Sequence, residues 1–171
     1  DPEKLVEVIA ALEPTFGGIN LEDIKAPDCF LVERKLRERM KIPVSHDDQH
    51  GTAIVVAAAI LNGLKVVGKD IGKVKLVTSG AGAAALACLE LLVDLGLPKS
   101  HIWVTDIVGV VYEGRTELMD PKKLPFAQKT DKRNLGEAIE GADVFLGWSA
   151  GGVLKPEMVK RMADKPLVFA L

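Results

Sequence analysis

Apolar positions recur with a helical period in the first third of the chain. Leu5, Val6, Ile9 and Leu12 follow this spacing, and Pro14 ends the pattern. Extended segments are predicted at residues 16–20 and 44–48, where the helical period is lost. The same period predicts two further helices, at Phe30–Met40 and from Gly51 to about Gly63.

From residue 74 onward, short apolar strands alternate with helices. Residues 109–130 lack either period and are expected to form a loop with one turn. This succession is typical of an α/β fold, in which helices cover both faces of a parallel sheet. The predicted strands are Val74–Thr78, His101–Asp106, Val144–Leu146 and Leu167–Ala170, and the predicted helices are Ala83 to about Leu95, Leu135–Ile139 and Pro156–Met162.

A glycine-rich loop follows the first of these strands. Gly80, Gly82 and Ala85 fit the G-x-G-x-x-[GA] fingerprint, with a strand before it and a helix after it. In such a loop the backbone N–H groups and the helix N-terminus bind the pyrophosphate of a dinucleotide. The sequence therefore predicts a Rossmann-like dinucleotide-binding site, although a tight turn in an alanine-rich segment would leave the same pattern.

Asp106 ends the next strand and could accept a hydrogen bond from a ribose 2′-hydroxyl, which would favour NAD. It could instead serve as a strand-end cap. Arg115 follows nine positions later and could hold the 2′-phosphate of NADP. The choice between NAD and NADP stays open at this stage.

Two acidic pairs precede the glycine loop, Glu22-Asp23 and Asp47-Asp48. Either pair alone would be explained by a solvated surface. Both, however, follow extended segments, and α/β folds gather their sites at strand ends. Converging carboxylates suit Mg²⁺ or Mn²⁺ better than Zn²⁺. His46 and His50 resemble a zinc-protease spacing, but an Asp replaces its Glu, so local hydrogen bonding is the better interpretation.

The composition narrows the possible partners. Of 171 residues, 27% are charged and 48% hydrophobic, with a net charge of −2, which gives no basic surface for nucleic acid or anionic lipid. The stretch Gly51–Gly63 is too short to span a bilayer and the N-terminus is no signal peptide, so a cytoplasmic protein is expected.

Cys29 and Cys88 are expected to be buried as small hydrophobic side chains, and a disulfide between them is the alternative. Both chain ends look cut, which predicts a piece of a longer protein.

Three stretches together resemble the malic enzyme family, most closely its bacterial type. They are Pro14–Ile24, Pro43–Ala53 and the glycine loop, and the resemblance covers essentially the whole chain. It implies oxidative decarboxylation of malate to pyruvate and CO₂, with reduction of NAD or NADP and a requirement for Mg²⁺ or Mn²⁺. It also implies that residues 1–50 belong to the malate- and metal-binding catalytic domain, that residues 51–171 form the NAD(P)-binding domain, truncated at its C-terminal end, and that the full-length protein is a homo-oligomer.

The resemblance assigns roles to individual residues. Glu22, Asp23 and Asp48 would be the metal ligands, and Asp47 would support the catalytic base. The family's lysine base and tyrosine acid lie N-terminal to this chain, and Tyr112 does not match the acid. The chain alone is therefore expected not to turn over malate. The alternatives are an amino-acid-dehydrogenase-like oxidoreductase and a non-catalytic dinucleotide-binding module. The implied cofactor-binding residues are Thr52, Ser79, Gly80, Gly82, Ala83, Ala84, Asp106, Ser149 and Ala150.

Overall fold

A computed structural model describes residues 1–171, and its first 46 residues form a small unit of two helices and two strands. Helix α1 spans Pro2–Ala10 and α2 spans Asp28–Arg39. Strands β1 (Ile19–Leu21) and β2 (Val44–His46) pair in parallel, with Leu21 opposite His46. The unit has its own apolar core, made of Val6, Leu21, Val32, Leu36, Met40 and Val44.

Helix α1 begins at a polar cap. The carboxylate of Asp1 accepts a hydrogen bond from the backbone N–H of Glu3 at 3.0 Å, and Pro2 occupies the first helical position. Both features satisfy or remove N–H groups that have no partner inside the helix. Arg39 binds Glu7 with an N–O distance of 2.6 Å, which joins α2 to the exposed side of α1. This pair is exposed, so the shared apolar core contributes most of the stability.

Helix α3 spans His50–Val67, and the prediction that it ends at about Gly63 was wrong. The chain turns at Gly68, whose φ is 71°. Gly63 lies inside the helix at a point of close packing, because a Cβ there would lie 2.9 Å from Leu167 Cδ1. The sequence predicts a segment, Gly51–Gly63, that is too short to span a bilayer. The 18-residue helix α3 is instead long and apolar enough to cross a membrane by length and composition. One side of it, however, is buried against the neighbouring helix and the sheet.

The sheet has the order β5-β4-β3-β6-β7, and all of its strand pairs are parallel except β4 with β5. Strand β5 is antiparallel because a two-residue turn returns the chain beside β4. The predicted parallel sheet is therefore confirmed, although the sequence pattern did not predict the edge strand β5. Its strands are β3 (Leu76–Ser79), β4 (Ile102–Asp106), β5 (Gly109–Val110), β6 (Val144–Gly147) and β7 (Leu167–Ala170).

Helices cover both faces of the sheet, as predicted. Helices α3 and α4 (Ala83–Asp94) pack on one face around Ile60, Leu89 and Leu146. The single-turn helices α5 (Leu135–Ala138) and α6 (Pro156–Val159) cover the other face. The expected extension of the last helix to Met162 was wrong. Cys29 and Cys88 are both free and fully buried, which confirms their interpretation as small hydrophobes.

The segment 109–130 is more regular than the sequence predicts. It contains β5, a parallel bridge between Tyr112 and Gln128, and a 3₁₀ turn at Leu124–Phe126. Phe126 is 1% exposed and packs in the core on the α3–α4 face of the sheet. The segment therefore folds back against the sheet and brings its basic side chains to the end of β4.

Candidate functional site: a dinucleotide cleft beside two carboxylate-bearing strand ends

The order of the sheet places a crevice at the carboxyl ends of β3 and β6. The chain moves outward from β3 to β4 on one side and resumes at β6 on the other side. The loops after β3 and β6 therefore leave in opposite directions and open a gap, where α/β proteins bind their ligands. A cleft of about 550 Å³ lies there.

The two glycines of the loop have different tasks. Gly80 has a φ of 115°, a conformation that favours glycine, and a Cβ on it would lie 2.8 Å from the Cβ of Trp148. Gly80 therefore allows the backbone after β3 to approach the end of β6. Gly82 has a φ of −81° and nothing within 4 Å of its would-be Cβ. It faces open space, where a ligand can approach the backbone. Ala85, the third small position, is 1% exposed.

The N-terminus of α4 follows the loop directly. Gly82 precedes the helix and no side chain caps it, so the first N–H groups keep their hydrogen-bonding capacity. The 12-residue helix has no acidic residue in its first turn. Its dipole and its free N–H groups favour an anion at this end. Ala83 and Ala84 begin the helix, and Ala83 lines a neighbouring groove of about 670 Å³ on the side of α2.

The cleft brings together most of the predicted cofactor-binding residues. The hydroxyl oxygens of Ser79 and Ser149 lie 2.8 Å apart and bridge the ends of β3 and β6. Thr52 is not in this cleft. It lies in the first turn of α3, where its hydroxyl donates to the carbonyl of Asp47 at 3.4 Å. The predicted residues that line the cleft are Ser79, Gly80, Gly82, Asp106, Ser149 and Ala150.

Asp106 lies at the far end of the cleft, and two cations hold its carboxylate. Arg115 donates to Oδ2 through a short contact, and Lys123 Nζ lies 3.3 Å from the same oxygen. Burial raises the pKa of Asp106, but the Arg115 guanidinium, the N–H of Val108 and Lys123 more than offset this and hold the pKa below its usual value. The carboxylate is therefore ionised and already paired. Lys123 Nζ also lies 3.8 Å from a carboxylate oxygen of Asp120, so two carboxylates balance the two cations at this end of the cleft.

Lys123 was missed at the sequence level. It lies 17 positions after Asp106, and no local motif marks it. Its position depends on the folding back of the segment 109–130, where its ammonium also donates to the carbonyl of Leu118 at 2.7 Å. The sequence also does not reveal Trp148 as the packing partner of Gly80. That role depends on how β3 and β6 are paired.

The predicted acidic pairs follow β1 and β2 directly. Because Leu21 lies opposite His46, Glu22 and Asp47 leave the same edge of this small sheet. Asp48 Oδ2 accepts a hydrogen bond from the backbone N–H of Asp23 at 2.9 Å, and Asp23 has a φ of 58°. The structure thus brings these two residues into contact across the strand ends.

The donor atoms fit a hard divalent cation, because exposed or half-buried carboxylates offer oxygen ligands. No three Asp, Glu, His or Cys side chains form a preassembled metal cluster. Asp47 is exposed, and its carboxylate lies against the Cα of Gly51, where an added Cβ would be 2.2 Å from Oδ1. His50 does not join this set. It binds the buried carboxylate of Glu33 on α2 at 2.7 Å, which confirms the hydrogen bonding predicted for it, whereas the same prediction was wrong for His46, which makes no hydrogen bond.

Comparison with known proteins identifies the family. A family model for the malic enzyme NAD-binding domain matches residues 49–171, and the malic enzyme N-terminal domain matches residues 1–37. The chain belongs to the malic enzyme family. Its resemblance to malic enzymes is thereby confirmed, and the family match disfavours an amino-acid-dehydrogenase-like oxidoreductase.

Individual malic enzymes are similar along the whole chain. The NAD-dependent malic enzyme of Rhizobium meliloti (strain 1021) is 68% identical over 169 residues, which are 99% of this chain and 22% of that protein. The NADP-dependent malic enzyme of Escherichia coli (strain K12) is 63% identical over 172 residues, covering 100% of this chain and 23% of that protein. The chain thus spans less than a quarter of either relative.

A solved structure supports the fold. The NAD-dependent malic enzyme from Thermotoga maritima superposes with a TM-score of 0.93 at 44% identity, over 100% of this chain and 46% of that one. Tyr112 does not face the cleft of this malic enzyme chain. The guanidinium of Arg133 lies 3.8 Å from the centroid of its ring, and its backbone pairs with Gln128.

Proposed function

We propose that this chain is the dinucleotide-binding and metal-ligand-bearing part of a malic enzyme. In the full-length protein it would serve the oxidation and decarboxylation of malate to pyruvate and CO₂, with reduction of NAD or NADP. The observation that carries this proposal is the cleft at the ends of β3 and β6, with an uncapped helix N-terminus beside it. The family match and the carboxylates after β1 and β2 support the reaction class.

The glycine loop would hold the pyrophosphate. Backbone N–H groups at Gly82, Ala83 and Ala84 would donate to its oxygens, since they begin α4 and no side chain caps them. The Ser79–Ser149 hydroxyl pair has one O–H left to donate, because only one hydrogen is used between the two oxygens. Thr52 would act from α3, outside this cleft.

The adenosine ribose would lie at the Asp106 end. Arg115 and Lys123 face the carboxylate of Asp106 there, and Lys123 also lies near the carboxylate of Asp120. A 2′-phosphate would gain a charge-assisted hydrogen bond from Lys123 Nζ, whereas a 2′-hydroxyl would have to share Asp106 with two cations. The hydrogen bond to Lys123 would favour NADP, and repulsion from the two carboxylates beside Lys123 would oppose it.

Glu22, Asp23 and Asp48 would hold Mg²⁺ or Mn²⁺, and Asp47 would support the catalytic base beside them. A divalent cation supplies stabilisation of negative charge on substrate oxygens. The chain's own contribution is to place carboxylates from two segments at one strand edge, where Asp23 N–H fixes Asp48 Oδ2. The general base and acid would come from elsewhere in the full-length protein.

The two parts of the chain would divide these tasks. Residues 1–50 would complete the malate- and metal-binding domain, and residues 51–171 would form most of the NAD(P)-binding domain. We also expect the full-length protein to be a cytoplasmic homo-oligomer. The exposed apolar side chains of Leu5 and Val8 on α1, and of Leu12 just after it, support an interface here.

The test is malate-dependent reduction of NAD and NADP by the full-length protein, with and without Mn²⁺. We expect activity that needs the cation and falls by about 100- to 1,000-fold in Asp48→Asn, the range seen when a group that stabilises transition-state charge is removed. Asp131→Asn is the matched control, because Asp131 is exposed and lies outside both sites. Activity that ignores Mn²⁺, or that survives Asp48→Asn, would contradict the metal assignment.

A further inference from the structure

His46 is the last residue of β2. Its side chain is buried, and it has no role in the site described above. It is 1% exposed and lies on the same side of β2 as Val44, which packs in the core with Val32 and Leu36. Neither ring nitrogen has a hydrogen-bond partner. An imidazole with both nitrogens unpaired makes folding less favourable than an apolar side chain of similar size would. Packing alone therefore does not explain why a histidine occupies this position.

The nearest charged atom is Oδ2 of Asp48, 3.8 Å from Nδ1 of His46. This separation is too long for a hydrogen bond and too short to admit a bridging water. The same oxygen accepts from the N–H of Asp23 at 2.9 Å. Oδ2 of Asp48 thus lies between a backbone donor after β1 and an imidazole at the end of β2.

A movement of about 1 Å would turn this approach into a hydrogen bond of ordinary length. Asp48 can move, since its side chain is 42% exposed, whereas the buried ring of His46 is fixed by its neighbours. A carboxylate that binds a cation needs its orientation fixed by donors behind it, and these donors affect affinity although they never touch the cation.

We propose that His46 is a positioning residue, whose Nδ1–H donates to Asp48 Oδ2 and holds this carboxylate in the orientation that binds a divalent cation. The proposal rests on the metal site proposed above. It explains why a buried strand-end position carries an imidazole, and it requires the tautomer with hydrogen on Nδ1. Nε2 then remains an unpaired acceptor in apolar surroundings.

The experiment measures Mn²⁺ binding to the full-length protein by electron paramagnetic resonance, without malate or dinucleotide. His46→Asn places an amide N–H near the position of Nδ1, whereas His46→Gln places it near Nε2, and both keep a polar side chain. We expect His46→Asn to bind Mn²⁺ within about threefold of the unmodified protein and His46→Gln to bind about 10- to 100-fold more weakly.

His46→Leu separates positioning from folding. We expect it to weaken Mn²⁺ binding as much as His46→Gln does, while its thermal unfolding midpoint in a chelator stays equal to or above that of the unmodified protein. Equal Mn²⁺ affinity in the Asn and Gln variants, or unchanged affinity in the Leu variant, would overturn the role of His46 and leave the metal site intact. Absence of Mn²⁺ binding by the unmodified protein would overturn the metal site and, with it, this proposal.

Discussion

A methyl group on Gly80 would lie 2.8 Å from the Cβ of Trp148, so the glycine loop and the end of β6 are in direct backbone contact. We expect Gly80→Ala to lower the free energy of unfolding by about 1–3 kcal/mol, because the φ of 115° is strained for any other residue and the contact adds repulsion. Dinucleotide binding would be lost with the loop geometry. Urea unfolding and quenching of tryptophan fluorescence by NADPH would measure the two effects.

Gly82→Ala is the matched control. Its φ of −81° suits alanine, and a Cβ there meets no atom within 4 Å. We expect unchanged stability but about tenfold weaker dinucleotide binding, since the methyl group would occupy the space through which the pyrophosphate approaches. A loss of stability in Gly82→Ala, or normal binding in Gly80→Ala, would contradict these separate roles.

Lys123 provides a test of the Asp106 end of the cleft. We expect Lys123→Ala to raise the KM for NADP about tenfold or more and to leave the KM for NAD nearly unchanged, because a 2′-phosphate would accept a charge-assisted hydrogen bond from Nζ and a 2′-hydroxyl would not. Steady-state kinetics of the full-length protein with both cofactors would measure this. Lys122→Ala is the neighbouring control, since Lys122 binds Glu90 at 2.9 Å and does not line the cleft. Equal changes in KM for both cofactors would show that Lys123 does not discriminate between NAD and NADP.

Asp106 gives a pH dependence with a definite sign. Its pKa is lowered in the folded protein, so the ionised carboxylate stabilises the fold above its ordinary pKa of about 4 and loses this contribution as pH falls through the lower folded value. Asp106→Asn should lower the free energy of unfolding by about 3 kcal/mol near neutral pH, because the buried Arg115 loses its anionic partner. The difference in free energy of unfolding between the variant and the unmodified protein should shrink below about pH 4 in urea unfolding experiments. A difference that is constant with pH would contradict the pairing.

The two thiols should be inert while the protein is folded. Burial raises the pKa of Cys88 to about 12, and burial is also the main cause of the raised pKa of Cys29. At about pH 8 only about 10⁻⁴ of Cys88 would be thiolate, and neither side chain has any exposed surface. Iodoacetamide should modify both cysteines in concentrated urea and neither without it, as read by mass spectrometry. Modification of the native protein at either position would disprove this.

Local signals were enough to predict the β3–loop–α4 unit. An apolar strand, two glycines and an alanine-rich helix follow one another within 20 residues, and the local preference of each agrees with the conformation that it adopts. The fingerprint therefore predicted the position of the glycine loop that lines the cleft. The parallel order of the strands followed from their alternation with helices.

Features that depend on distant contacts were not predictable. Gly63 resembles a helix end in the sequence, yet it lies inside α3, where a small residue gives room to strand β7, about a hundred residues later. The pairing of Asp106 with Lys123 depends on the path of a 17-residue segment. The two residues of β5 form a strand only because β4 is beside them. Such features are determined by tertiary packing rather than by local preference.

Helix α3 begins two residues after Asp48 and packs along α4, which begins one residue after Gly82. The carboxylate edge and the glycine loop are therefore held apart by a pair of packed helices, not by a flexible linker. If the proposed sites are occupied as described above, this helix pair would set a fixed distance between the cation and the dinucleotide. A change in the packing of α3 against α4 would then alter the distance over which the hydride is transferred, without changing a contact to either ligand.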